Sequence, residues 1–137
     1  MRNVFQYSIS TGKKEEFIDI THLLNRAIED SGIQNGLAVV FCPHTTAGIT
    51  INENADPDVV FDIIKILDRV FPARGDYRHF EGNSHAHAKA SCIGSSCSVI
   101  VADGKPLLGT WQGVYFCEFD GPRSRRVYIS CIGTKQH

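Results

Sequence analysis

Three of the six histidines stand among residues that suggest chemistry. His85 and His87 form a His-x-His pair, and His44 lies in the string Pro43-His44-Thr45-Thr46. In an extended segment, residues i and i+2 project from one face and can grip a single metal ion. On a regular helix the pair would point ~200° apart. Shared ligation therefore requires extended structure or the irregular start of a helix. Three imidazoles leave an open coordination position, as around a catalytic zinc or similar transition metal. The plainer alternative is surface histidines, or histidines hydrogen-bonded within the core. A His-x-His spacing does not by itself decide between these.

Oxygen donors crowd Asn52-Glu53-Asn54-Ala55-Asp56-Pro57-Asp58. Asp56 before Pro57 reads as a helix N-cap, and Asp58 in the first turn complements the helix dipole. Glu53, flanked by Asn52 and Asn54, has no such local duty and could bind Mg²⁺ or orient a substrate. Asp120-Gly121-Pro122-Arg123 holds an arginine on a stiff loop, suited to a bidentate grip on phosphate or carboxylate. The same string is equally a hairpin turn with solvated charges. Gly94-Ser95-Ser96 offers backbone N–H groups and hydroxyls to an anion, or simply ends a helix. Thr45 and Thr46 beside His44 invite a nucleophile, but no Ser/Thr–His–Asp arrangement is legible, so covalent catalysis is not expected. Glu118 shares a strand face with Val114 and Phe116. Its carboxylate falls where the pattern wants an apolar group, so it is paired, interfacial or functional.

The elements that must position these residues follow from periodicity. Phe5, Tyr7 and Ile9 alternate with polar residues as a half-buried strand does, and Thr11-Gly12 offers a turn into a returning hairpin strand, 16–20. A helix follows, capped by Asp19 or Thr21, with Leu23, Leu24, Ala27 and Ile28 on its apolar face and Gly32 at its stop. Leu37 to Cys42, short and valine-rich, reads as a central strand, and β character resumes over 49–51. Asp56-Pro57 opens the clearest helix. Val60, Ile63, Ile64, Leu67 and Val70 recur at helical spacing, and Pro72 ends it. The stretch 73–83 is polar and irregular, and long loops in small domains are often functional. A short helix is expected over 86–93, stopping at Gly94. Strands over 98–102, 107–111, 114–119 and 127–132 complete the chain, with Trp111 expected in the core. The fold class is α+β.

One domain over 1–137 accommodates this pattern. Fourteen Lys plus Arg against fifteen Asp plus Glu leave a charge of -1, without the basic excess of a nucleic-acid binder. The longest apolar runs fall far short of the ~20 residues a membrane helix needs. No nucleic-acid or membrane partner is expected. The first residues, Met-Arg-Asn-Val-Phe-Gln-Tyr, lack the apolar core of a signal peptide. Five cysteines, odd in number and without a Cys-x-x-Cys pair, suit free thiols in a cytoplasmic protein.

Three long strings carry a family resemblance. They are Pro43-His44-Thr45-Thr46-Ala47-Gly48-Ile49-Thr50-Ile51-Asn52-Glu53-Asn54-Ala55-Asp56-Pro57, then Asn83-Ser84-His85-Ala86-His87 leading to Gly94-Ser95-Ser96. The third is Leu108-Gly109-Thr110-Trp111-Gln112-Gly113 continuing through Glu118-Phe119-Asp120-Gly121-Pro122-Arg123. In these the chain resembles the YjbQ family, also called the secondary thiamine-phosphate synthase family. The resemblance implies packed sheets with helices, a homotrimer, and pockets near the subunit boundaries. It places His44, His85 and His87 among the pocket histidines and so favours them as metal ligands. The implied cofactor is a divalent ion, zinc or another transition metal, with Mg²⁺ possible beside a diphosphate.

The implied reaction joins 4-amino-2-methyl-5-pyrimidinylmethyl diphosphate to 4-methyl-5-(2-phosphoethyl)thiazole and releases diphosphate. It needs charge neutralisation on the leaving group and exclusion of water rather than a strong base. Arg123, Glu53 and Glu118 are the expected catalytic groups. Thr45, Asn54, Ser95, Ser96 and Asp120 are the expected ligand contacts. Two other readings stand beside this one: a metal-dependent hydrolase or lyase acting on a small phosphorylated or carboxylated metabolite, and a trimeric metabolite-binding module.

Overall fold

Apolar–polar alternation sets the strands, and antiparallel pairing sorts them into two sheets. A computed structural model describes residues 4–135. In chain order the elements are β1 (Val4–Ser10), β2 (Glu16–Asp19), α1 (Thr21–Ser31), β3 (Ile33–Phe41), β4 (Ala47–Glu53), α2 (Pro57–Val70), α3 (Ser84–Ile93), β5 (Ser96–Ala102), β6 (Lys105–Pro106), β7 (Gln112–Glu118) and β8 (Ser124–Lys135). One sheet has the order β1-β8-β3-β5-β6 and the other β2-β7-β4. The expected central strand is indeed β3, flanked by β8 and β5.

Two expectations about strands give way. The segment after Thr11-Gly12 does not return as a hairpin on β1, because β2 pairs antiparallel with β7 in the second sheet. The chain between β1 and β2 thus crosses from one sheet to the other. Residues 107–111 are not a strand either. The run turns at Gly109, whose N–H donates to Gln112 Oε1 at 2.8 Å, and Trp111 lies 63% exposed instead of in the core.

The layers explain which side chains are buried. Ala38 and Val40 of β3, Val99 and Val101 of β5, and Val127, Ile129 and Cys131 of β8 face inward. With α1 and the Ile49, Val114 and Phe116 side of the second sheet they form the main core. The opposite side of β7 sends Tyr115 and Cys117, with Phe119 just beyond, against Ala86 and Ala90 of α3. β7 is therefore covered on both faces, and 113–118 are all buried.

Helix ends follow the local chemistry. Asp56 caps α2 by accepting from the Asp58 N–H at 2.9 Å, with Pro57 in the first turn. Gly32 ends α1 at φ 72, the left-handed conformation that favours glycine. Neither Asp19 nor Thr21 is the N-cap of α1, since that position is Ile20. Asp19 instead accepts from the N–H and the hydroxyl of Thr21 at 2.9 and 2.6 Å.

All five cysteines are free thiols. Burial pushes the Cys97 thiol up to about 11. Among the described residues no helix is long and apolar enough to cross a membrane.

Candidate functional site

Small residues open a pocket where β4 meets the end of α3. A Cβ on Gly48 would stand 2.6 Å from the Gly94 carbonyl oxygen, so glycine alone permits this approach. The Ile49 N–H donates to that same carbonyl at 3.0 Å. Around this contact lies a cavity of about 480 Å³, lined by His44, Thr45, Ala47, His87, Ala90, Ser91, Gly94 and Ser95. Its size falls in the usual range for small-molecule sites. The Cys42 N–H donates to the Ser95 carbonyl at 2.7 Å and fixes the far rim.

Four of the expected residues therefore meet: His44, Thr45, His87 and Ser95. Ser91, one helical turn after His87, joins them. It was not anticipated, although its i+4 spacing from His87 puts both on one helix face.

His44 accepts the Arg126 backbone N–H at Nε2, 3.0 Å away, which leaves Nδ1 as its free nitrogen. Burial, with the Arg125 and Arg126 charges, lowers its pKa from 6.5. The pocket thus presents a neutral imidazole and three hydroxyls.

The three-histidine metal site does not fit one chain. His85 and His87 lie in the first turn of α3, where helical geometry sends them apart. His87 faces the pocket, whereas His85 is 8% exposed. The charges acting on His85 are those of Lys89, Lys14, Asp120 and Asp68. Its Nδ1 and the Asn83 Oδ1 are buried without a hydrogen-bond partner. One His44 nitrogen is already occupied. Among the described residues no group of three or more His, Cys, Asp or Glu is placed to hold a metal ion.

Glu118 is not available to a substrate in this fold. It is 0% exposed, and its carboxylate is surrounded by donors. Arg125 donates from Nε to Oε1 at 2.8 Å and from Nη2 to Oε2. Thr11 Oγ1 donates to Oε1 at 2.8 Å and the Asp120 N–H to Oε2 at 3.0 Å. Burial alone would raise its pKa, but Arg125 and these N–H and hydroxyl donors bring it below its ordinary 4.5.

Arg125 also donates to Thr46 Oγ1 at 2.8 Å and to the Thr46 carbonyl at 3.3 Å. The pair therefore positions the turn that carries His44 and Thr45. Sequence reasoning flagged Glu118 and passed over Arg125. The missed signal is that Arg125 shares the β8 face of Val127, Ile129 and Cys131, so two charges of opposite sign break the apolar pattern of facing sheets.

Asp120 and Arg123 form a separate cluster. Arg123 donates from Nε to the Asp120 carbonyl at 2.9 Å and from Nη2 to Asp120 Oδ2 at 3.1 Å. Asn83 Nδ2 donates to the same Oδ2 at 3.0 Å. The arginine expected to grip a ligand is thus engaged by its own loop.

Glu53 and Asn54 sit at the far end of β4, about 20 Å from Ala47 along an extended strand. Glu53 accepts the Asp56 N–H at 3.2 Å, and Asn54 Nδ2 donates to Asp19 at 3.3 Å. Within one chain they do not reach the pocket. Ser96 begins β5 opposite Phe41 and is not among the residues that line it.

Also unanticipated is Lys89, whose side chain is 0% exposed between Glu15 at 2.7 Å and Asp68. Ala86 and Ile93 are three residues before and four after it. This places the lysine on the apolar face of α3.

Acid will weaken the fold through Glu118. Its folded pKa lies below its ordinary 4.5, so its stabilisation is complete above that value and lost as pH falls through the folded one. Urea midpoints measured from neutral pH downward should fall in that window, and Glu118→Gln should flatten this part of the profile. An unchanged profile in the variant counts against the assignment.

A two-sheet α+β domain with a histidine- and hydroxyl-lined pocket beside one helix is the class defined by this fold and site. The chain belongs to the YjbQ family, described as UPF0047 protein YjbQ-like, which it matches over residues 5–134. It is 53% identical over 135 residues to UPF0047 protein MJ1081 of Methanocaldococcus jannaschii, covering 98% of each chain. It is 54% identical over 126 residues to UPF0047 protein YugU of Bacillus subtilis, covering 91% of this chain and 96% of that one. A crystal structure from Clostridium acetobutylicum, described as an uncharacterized conserved protein of the same family, superimposes with a TM-score of 0.92 at 62% identity. That match covers 93% of this chain and 99% of the other.

Proposed function

We propose that the chain joins the pyrimidinylmethyl diphosphate to the thiazole phosphate, forming thiamine phosphate, as an activity of the His44–His87 pocket. The observation that carries this reading is a cavity of about 480 Å³ walled by two imidazoles and three hydroxyls. Such walls suit phosphate oxygens and contain no strong base, which this chemistry does not need. In the reaction the C–O bond to diphosphate breaks and its electron pair leaves with the diphosphate. The thiazole nitrogen then forms the C–N bond with its own lone pair.

His87, Thr45, Ser91 and Ser95 serve to hold the leaving group as its charge grows. His44, kept neutral, orients it through Nδ1–H. Glu118 and Arg125 act as positioning residues through Thr46. A metal-dependent hydrolase is less well supported, because one chain does not assemble the three-histidine ligand set.

Assembly of three copies is part of the same proposal. The outer face of the five-stranded sheet exposes Val4, Leu37, Phe41, Ile100 and Ile132. Leu37 stands in register between Ile132 and Ile100. A continuous apolar face of this kind marks an association surface, and different surfaces of the neighbouring copies in a closed ring of three are its natural cover.

Purified protein given both substrates and Mg²⁺ should yield thiamine phosphate above buffer, and His87→Ala should lower the rate by about a hundredfold. Light scattering on the same preparation should give three times 15.2 kDa. Wild-type protein that makes no product defeats the synthase reading. A monomeric mass defeats the assembly.

A further inference from the structure

We propose that the segment joining α2 to α3 is part of the ligand site and folds over the pocket on a diphosphate-bearing ligand, with Arg78 and His79 touching it. This rests on the pocket binding phosphate oxygens, and it begins from a deficit. The residues lining the cavity include no lysine or arginine. Arg126 stands near its rim, but its guanidinium lies 6.0 Å over the Tyr128 ring. A diphosphate seated there needs positive charge that the walls do not supply.

The adjoining segment has that charge. Between Phe71 and Asn83 it carries Arg74, Arg78 and His79 against Asp76 and Glu81. Every residue from Pro72 to Gly82 is exposed. His79 already reaches the site: its ring meets the His87 ring edge-on, 5.4 Å between centroids at 87°. His87 is itself a pocket wall.

Apart from that ring contact, the segment's hydrogen bonds run within itself. Tyr77 donates to the Pro72 carbonyl at 2.6 Å, and the Gly82 N–H to the His79 carbonyl at 3.4 Å. Gly82 has φ +76 with nothing within 4 Å of a would-be Cβ. It therefore has both the conformational freedom and the room to act as a pivot just before α3. Phe80, 99% exposed, gains cover only if the segment moves or meets something. Closure over an occupied pocket would bury it and exclude water from the ligand, a requirement of the proposed reaction.

The test uses the whole protein with inorganic diphosphate as the probe. Calorimetric titration should show binding to wild type that weakens about tenfold in Arg78→Gln/His79→Gln, the loss of one charge-assisted hydrogen bond. Lys105→Gln, remote from this pocket, should leave binding unchanged. In parallel, diphosphate should slow tryptic cleavage after Arg78 at least severalfold. Equal affinity in the double variant with unchanged cleavage overturns the closure and leaves the phosphate pocket standing. Failure of diphosphate to bind wild type overturns both. Resistance to trypsin at Arg78 without ligand shows the segment already covered by something else, and also overturns it.

Discussion

Replacing Arg125 by leucine will lower the unfolding free energy by about 3–5 kcal/mol, the usual cost of stripping one partner from a buried ion pair. Glu118 would remain at 0% exposure with only the Thr11 hydroxyl and the Asp120 N–H as donors. Its ionised form would then be penalised by burial, and its pKa would rise. The deficit relative to wild type should therefore shrink as pH falls and Glu118 takes up a proton.

A double variant, Arg125→Leu/Glu118→Leu, should regain much of the loss, since an apolar pair of similar volume often matches a buried ion pair. Chemical denaturation of the two single variants and the double variant provides the cycle. An Arg125→Leu loss below ~1 kcal/mol would mean that the pair carries little stability. The variant should also bind diphosphate more weakly, because the Thr46 carbonyl and hydroxyl lose their donor and the His44–Thr45 turn is freed. Double-variant protein that recovers stability but not binding would separate positioning from folding.

Replacing Lys89 by methionine should cost about 2–3 kcal/mol, less than a fully enclosed pair, because Asp68 is 50% exposed and partly hydrated. Glu15 already has a raised pKa: burial raises it, Lys89 pulls it down, and Asp68 pushes it back up. Without the ammonium the two carboxylates face each other uncompensated. The effect should concentrate on α2, which has no buried residue of its own. Val60 and Leu67 only partly bury themselves against the α3 cluster, so the Asp68–Lys89 bridge is a main tie. Hydrogen exchange over 57–70 should accelerate well beyond any change in β7. Adding Glu15→Gln and Asp68→Asn should recover most of the lost stability. Equal exchange in α2 and β7 would show that the lysine serves global stability rather than this attachment.

Local chemistry made several elements legible without a structure. Asp56-Pro57 started α2 and Gly32 stopped α1 through contacts within a few residues, and the β3 run was recognisable from its short, valine-rich composition although its partners β5 and β8 are distant in sequence. Four of the pocket residues, His44, Thr45, His87 and Ser95, were legible as candidates from their imidazoles and hydroxyls beside turns, but their spacing also allowed plain structural roles and the family resemblance is what favoured them. Other choices failed for a common reason. Glu53 and Asn54 belong to the same string as His44, yet an extended β4 carries them to its opposite end. Each residue of an extended strand adds about 3.3 Å, so a separation of only a few positions becomes a long distance. His85 separates from His87 because the helix begins at Ser84 and takes in both, two residues before the expected start at 86.

By itself, the sequence determined the class of the fold, the start of α2 at its Asp56-Pro57 cap, the stop of α1 at Gly32, and four residues of one pocket. Those are properties of residue type and short-range spacing. Only the tertiary structure decided that β2 pairs with β7 instead of β1, that Glu118 answers to Arg125, and that Glu15 and Asp68 enclose Lys89. Each of these joins residues distant in sequence. A buried charge advertises that it needs a partner, but the packing of facing layers decides which one it finds.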